Sequence, residues 1–269
     1  MSRRFPKQRH VSRRKLARRP AVRALVRARA RARRRRRRVN RAAVGAWVNT
    51  RARVRKVLLA LWTLFIYGLW MACWPIGLVT EKPLRPLRRA IHRLWGRGLC
   101  WIVGARLKIV GPRPKAPFFL VANHLSYIDT FMLAGAVGGA FVARAEISGW
   151  PIFGWMMRNA YQIFINREDI RDAARVLQLI DDVIAHDDGV IMFAEAGCTR
   201  GVQVRQFKAP LFQVPAARGL PVHCAAISYA TPPGYPAAGD DVVWWRHEDF
   251  SAHFDRLLRL PYFHATLTF

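Results

Sequence analysis

FFLVANHLSYIDTF, residues 118 to 131, decides the architecture. Phe118 to Ala122 is an apolar run closed off by Pro117 and Asn123, which reads as a buried strand, and Tyr127 to Val137 has helical character. A strand passing through a short polar loop into a helix is the repeating unit of an α/β sheet, and in open sheets of this kind sites gather at the carboxyl ends of the strands.

The polar loop holds Asn123, His124 and Ser126, with Asp129 just beyond. On a straight helix His124 and Asp129 would point ~140° apart, so they meet only if His124 stands in the loop before the helix. Two readings of Asp129 stay open. With Ser126 as N-cap, Ser-Tyr-Ile-Asp is a capping box in which Asp129 reaches back to a free backbone N–H. Alternatively His124 is a general base toward a hydroxyl, with Asp129 holding its tautomer and favouring the imidazolium.

Further along the chain strands and helices continue to alternate. Leu107 to Val110, Ala140 to Ala143, Gln162 to Ile165, Val190 to Ala194 and Pro221 to Tyr229 read as strands. Ile170 to His186 is an amphipathic helix ended near Gly189, and Phe207 to Arg218 a weaker one broken by Pro210 and Pro215. Asn166-Arg167 and Glu195 each follow a strand, as His124 does. The expected fold is α/β, a mixed sheet flanked by helices over residues 104 to 269, preceded by an N-terminal membrane-associated helical segment.

Charge is concentrated at one end. Residues 1 to 56 carry 24 of the 46 Lys/Arg residues and no acid, so the formal charge of +30 comes mostly from this stretch. It reads as a basic disordered arm, and RARARARRRRRRVNR at 27 to 41 suits anionic lipid or nucleic acid equally; any nucleic-acid partner would act only through it. Residues 57 to 79 then run 23 positions without a charge, ~35 Å as a helix and long enough to cross a bilayer core of ~30 Å. Trp62, Tyr67, Trp70 and Trp74 suit an interfacial belt; Pro75 and Gly77 suit a bend, so spanning and re-entrant anchors both remain open, as does a buried core helix. From Pro86 to Val103 a basic amphipathic helix offers Arg88, Arg89, Arg93 and Arg97 to lipid phosphates, giving an anchoring region over 57 to 103.

Cys73, Cys100, Cys198 and Cys224 lie too far apart for a zinc-type pair, and a reduced, cytosol-facing setting follows. Cys198 reads as a small apolar filler, since no second histidine stands beside it in sequence. The usual serine-hydrolase elbow, Gly-x-Ser-x-Gly, does not occur.

Together these blocks resemble the glycerolipid acyltransferase family that includes the lysophosphatidate acyltransferases. Asn123, His124 and Asp129 match its first motif, Phe164-Ile-Asn-Arg167 its second, FAEAGCTRG at 193 to 201 its third and Leu220-Pro221-Val222 its last; Arg144 stands where a basic residue is usual. The resemblance implies that His124 and Asp129 are catalytic and that a hydroxyl attacks the thioester of acyl-coenzyme A or acyl carrier protein without an acyl-enzyme, with no metal or cofactor. It implies that Asn123, Arg144, Arg167, Glu195 and Arg200 lie in the substrate site, Arg167 by pairing with phosphate oxygens. The expected acceptor is 1-acylglycerol-3-phosphate, and the expected location is the cytoplasmic face of a bacterial inner membrane.

The departures shape the alternatives. Ala194, Ala196 and Gly197 replace the usual proline, glycine and threonine, and Cys198 stands where many relatives carry a phosphate-binding arginine, which Arg200, Arg205 or Lys208 would have to replace. A lyso-ornithine lipid acceptor, which has no phosphate, is therefore the second reading, and a degenerate membrane- or nucleic-acid-binding relative or a hydrolase the rivals. The last residues read as a strand, expected at a sheet edge.

Overall fold

The computed structural model describes residues 20–79, 84–151, 153–195, 197–207, 209–246 and 248–269. Lys82, Ala196, Lys208, the ring of Trp74 and residues 1–19 of the basic arm lie outside the described residues.

Helix α1 runs from Pro20 to Val79, so residues 20 to 56, expected as a disordered arm, continue without a break into the apolar segment. Arginine and alanine are strong helix formers, and Pro20 suits a first helical position, where its missing N–H costs nothing. Two compact units divide at residue 50, so the apolar half of α1 belongs with the body of the protein, residues 51 to 269. Gly45–Cys73 is long and apolar enough to cross a membrane by length and composition, and little of it is buried.

Within the body, α1 shows two faces. Leu58, Leu61, Leu64, Phe65 and Leu69 are exposed, whereas Ile66 and Trp70 are buried. The expected aromatic belt is instead a docking seam: the Trp62 indole N–H donates to the Trp95 carbonyl at 3.1 Å, that of Trp70 to the Asn159 carbonyl at 3.1 Å, and Tyr67 packs on Trp155. A buried indole N–H needs a partner, and here the protein supplies it.

Helix α2, Leu84–Val103, lies along the body. Of the four arginines expected to face lipid, Arg88, Arg89 and Arg97 bond within the body, although Arg97 stays largely exposed. Arg88 is buried and pairs with Asp188, Arg89 donates to the same carboxylate at 3.1 Å, and Arg97 donates to the Gly135 carbonyl at 3.0 Å. A buried carboxylate needs paired charge, and two arginines meet that need. A Cβ on Gly96 would sit 2.4 Å from the Gly135 amide nitrogen, so glycine alone permits this backbone-to-backbone crossing.

The remaining elements are β1 (Ala105–Val110), β2 (Phe118–Ala122), α3 (Ile128–Ala136), β3 (Ala140–Arg144), α4 (Phe153–Asn159), β4 (Ile163–Ile165), α5 (Ile170–Ala185), β5 (Gly189–Phe193), α6 (Gln213–Ala217), β6 (Val222–Ala230), α7 (Ala238–Asp241), α8 (Phe250–Arg259) and β7 (Phe263–Thr268). They form one seven-stranded sheet in the order β1-β7-β6-β2-β5-β3-β4, parallel throughout except for β6 against β7. This is the mixed, helix-flanked sheet that the sequence pattern predicts. The last strand, however, is internal: β7 sits between β1 and β6, which pair with its two backbone edges, and Phe263, Ala265 and Leu267 face the apolar layer. Two apolar layers fill the sides of the sheet, one under α2, α3 and α8 and the other under α5.

Candidate active site

Strands β2 and β5 run side by side in parallel with Ala122 opposite Phe193, so the loops after them emerge together. Two motifs about 70 residues apart thereby become one site. The Thr199 amide donates to the His124 carbonyl at 2.8 Å, and the His124 amide donates to Glu195 Oε1 at 3.2 Å, lashing the loops to each other.

His124 stands in the loop, as the dyad geometry requires. Its Nδ1 lies 2.9 Å from Asp129 Oδ2, and its ring stacks on Phe193 with centroids 3.9 Å apart. The side chain keeps 19% of its surface open, while Asp129 is fully buried. The two readings of Asp129 prove compatible: Oδ2 also accepts from the Leu125 and Ser126 amides at 2.6 and 2.9 Å. Ser126 Oγ in turn accepts a long bond from the Ile128 amide at 3.5 Å, so Ser126 and Asp129 form the capping box expected from the sequence, while Tyr127 at the helix start makes no side-chain cap bond.

Tyr229 on β6 completes the carboxylate, its hydroxyl donating to Asp129 Oδ1. Sequence offers no signal for this contact, since the two residues are 100 positions apart. Burial, with the Asp129 charge beside it, holds the Tyr229 phenol well above its ordinary pKa, so it remains a donor. At His124 burial alone would lower the pKa, yet the hydrogen bond to Asp129 and the charge there carry it above the usual imidazole range.

The other expected site residues separate into two groups. Asn123 spends both ends of its amide on β6, accepting from the Ile227 amide at 2.7 Å and donating to its carbonyl at 3.0 Å. Glu195, also buried, accepts from the His124 amide with Oε1 and the Arg205 amide with Oε2. These two brace the loops. Arg144 ends β3 and pairs with Glu146 at 2.5 Å, and the charges of both act on Arg167 just after β4. Burial first, then Arg144, lowers the Arg167 pKa. At ~4.8 Å per strand these arginines lie two and three strands from β2, or ~10 to 14 Å across the sheet. Arg200 is exposed and lies over the Trp245 ring at 5.4 Å.

A cavity of about 100 Å³ opens among α1, α2, α3, β3 and α4, lined among others by Tyr67, Trp70, His92, Trp95, Phe141 and Met157. Burial and Arg88 push the His92 pKa down to about 4, so His92 is uncharged at neutral pH, and Arg88, paired with Asp188, is the charged side chain of the lining. Phe141 links the cavity to His124, since it stacks on the same Phe193 against which the His124 ring lies.

Residues 106–228 match the family described as Acyltransferase. A lyso-ornithine lipid O-acyltransferase from Pseudomonas aeruginosa is 31% identical over 218 residues, 77% of this chain and 81% of the relative. A 1-acyl-sn-glycerol-3-phosphate acyltransferase from Neisseria meningitidis is 31% identical over 59% of this chain and 65% of its own. In fold, the crystal structure of the 1-acyl-sn-glycerophosphate acyltransferase from Thermotoga maritima aligns over 80% of this chain and 84% of that one, with a TM-score of 0.50 at 16% identity. A strand-end histidine, an α/β sheet with an apolar N-terminal helix, and relatives named as lysolipid acyltransferases place this chain in the lysolipid acyltransferase family, as an O-acyltransferase.

Proposed function

We propose that the protein transfers a fatty acyl group from an acyl thioester, carried by coenzyme A or acyl carrier protein, to the free hydroxyl of a lysolipid, with His124 as general base. The His124–Asp129 pair carries this reading: a neutral imidazole accepts a hydroxyl proton only if its tautomer is fixed, and Asp129 fixes it through Nδ1. The acyl chain lies in the apolar cavity, and the headgroup reaches toward Arg144, Glu146 and Arg167.

Lyso-ornithine lipid is the acceptor we favour. Its headgroup carries a carboxylate and an ammonium, which suit arginines interleaved with Glu146, and Cys198 removes an arginine of the phosphate-binding type. The relative with 81% coverage has the same named acceptor. Lysophosphatidate is the second reading, supported by two arginines against one acid. Asn123 and Glu195 act by positioning the loops, and Arg200 borders the site.

Membrane association follows from the exposed leucines and Phe65 of α1, at the cytoplasmic face, where acyl thioesters are made. Replacing Leu61, Leu64 and Phe65 with glutamine should move the protein from the membrane pellet to the supernatant; continued pelleting would place the anchor elsewhere.

Detergent-solubilised wild type and His124→Ala protein, given an acyl thioester with either lysolipid, test the reaction. Acylated product that depends on His124 is the expected result, with lyso-ornithine lipid the faster acceptor. Free fatty acid released at the same rate without acceptor would mark a hydrolase instead.

A further inference from the structure

Two backbone bonds clasp the loop that carries His124. The Thr199 amide, from the loop after β5, donates to the His124 carbonyl at 2.8 Å, and the Trp244 amide donates to the Leu125 carbonyl at 2.8 Å. Arg200 follows the first clasp, and Trp245 and Arg246 follow the second. The two segments meet there: the Arg200 guanidinium lies over the Trp245 ring at 5.4 Å from its centroid, and that of Arg246 at 5.3 Å. The ring itself is fixed, because its Nε1–H donates to the Gly239 carbonyl at 3.1 Å.

Both arginines are exposed. Arg200 has no carboxylate partner among the described residues. Arg246 gives one bond, from Nη2 to Asp240 Oδ1 at 2.8 Å, which orients it while its side chain stays 51% open. A guanidinium beside an aromatic face keeps its in-plane N–H groups for an oxyanion, and two of them at one rim offer an anion charge-assisted bonds.

Topology separates this rim from the acceptor side. Arg144 and Arg167, toward which the lysolipid headgroup reaches in the reading above, end β3 and follow β4, beyond β5. Trp245 and Arg246 belong to the connection from α7 to α8, between β6 and β7, which lie on the other side of β2. Direct transfer needs two substrates at one imidazole, so a second cationic site across the base from the first suits the other substrate. Its two carriers differ in bulk, but coenzyme A and acyl carrier protein hold the thioester on the same phosphopantetheine arm, whose phosphate is the anion they share.

We propose that Arg200 and Arg246, gathered over Trp245, bind the phosphate of the donor's phosphopantetheine arm, so that donor and lysolipid reach His124 from opposite sides. The pair supplies binding and leaves the chemistry to His124.

The proposal rests on the acyl-thioester reading above, and one experiment separates the two. Full-length detergent-solubilised protein is given lysolipid and one of four donors: palmitoyl-coenzyme A, palmitoyl-acyl carrier protein, palmitoyl-phosphopantetheine, or palmitoyl-pantetheine, which lacks the phosphate. In wild type the phosphate should lower KM at least ~10-fold between the last two, the scale of one or two bonds to a charged group. In Arg200→Gln/Arg246→Gln that gap should shrink below ~3-fold, with lysolipid KM within ~2-fold of wild type. An unchanged denaturant midpoint checks that the variant is folded. KM should rise alike for each carrier that the enzyme uses. A gap that survives in the variant would place the anion elsewhere. A rise with coenzyme A but none with a carrier-protein donor that the enzyme also uses would mean that the nucleotide is bound, and a rise in lysolipid KM alone would give the pair to the acceptor. Each of these would overturn the donor site and leave the transferase reading standing. No transfer from any donor to either lysolipid would overturn both.

Discussion

Two buried aspartates sit at opposite ends of the central strands and do different work. Asp129 follows β2 and Asp188 immediately precedes β5, and both are fully buried. Asp188 is closed on itself: Arg88 and Arg89 pair with it, and its Oδ1 accepts from the Gly189 amide at 2.7 Å. Asp129 receives equally good bonds, but one of them involves a histidine that keeps 19% of its side-chain surface open. On the proposed mechanism the buried charge at the carboxyl ends of the strands serves chemistry, whereas the one at the amino ends holds α2 in place.

The largest effect that sharpens this contrast belongs to the structural member. Asp188→Ala leaves two arginines beside an empty buried site and should cost about 3–5 kcal/mol of unfolding free energy, while turnover per folded molecule stays near wild type. Denaturant unfolding paired with active-site-normalised rates checks it, and a matched fall in turnover would erase the distinction.

At the other end, His124→Ala should lower acyl transfer ~100-fold or more with a smaller change in stability. Near-normal turnover in that variant would sink the base assignment. Arg167→Ala should be milder, raising KM for the lysolipid ~10-fold while kcat changes little, because a headgroup contact is made in ground state and transition state alike. An unchanged KM would take Arg167 out of the acceptor site.

The smallest effect is one of pH. Because the His124 pKa lies above the ordinary imidazole value, the acid limb of the rate profile should fall above pH ~6.5, activity rising as the proton leaves. Asp129→Asn removes the charge that favours imidazolium and should move the limb down. Tyr229→Phe frees Asp129 Oδ1 from its phenol, leaves more negative charge facing His124 and should move it up, by under ~1 unit. Parallel shifts in the two variants would mean that Tyr229 acts only through packing.

Much of this was legible early because it rests on local pattern. The run from Phe118 to Asp129 fixes its strand, loop and helix through apolar spacing alone, and the mixed sheet follows from repeating that unit. The arginines of α2 were harder to read: Arg88 looks like a lipid-facing residue until Asp188, 100 positions away, gives it a reason to be buried. Trp62 and Trp70 misled in the same way, since an amphipathic ring suits an interface or a protein seam equally well.

Sequence by itself determined the α/β alternation, the apolar helix and the set of polar residues at strand ends, because side-chain periodicity and turn chemistry act over a few residues. Only the tertiary structure decided which of those polar groups meet. The parallel register of β2 with β5 brings Glu195 and Thr199 to His124, and that of β2 with β6 brings Tyr229 to Asp129. Strand pairing is set by how the sheet buries its two apolar faces as a whole, which no short stretch of the chain encodes.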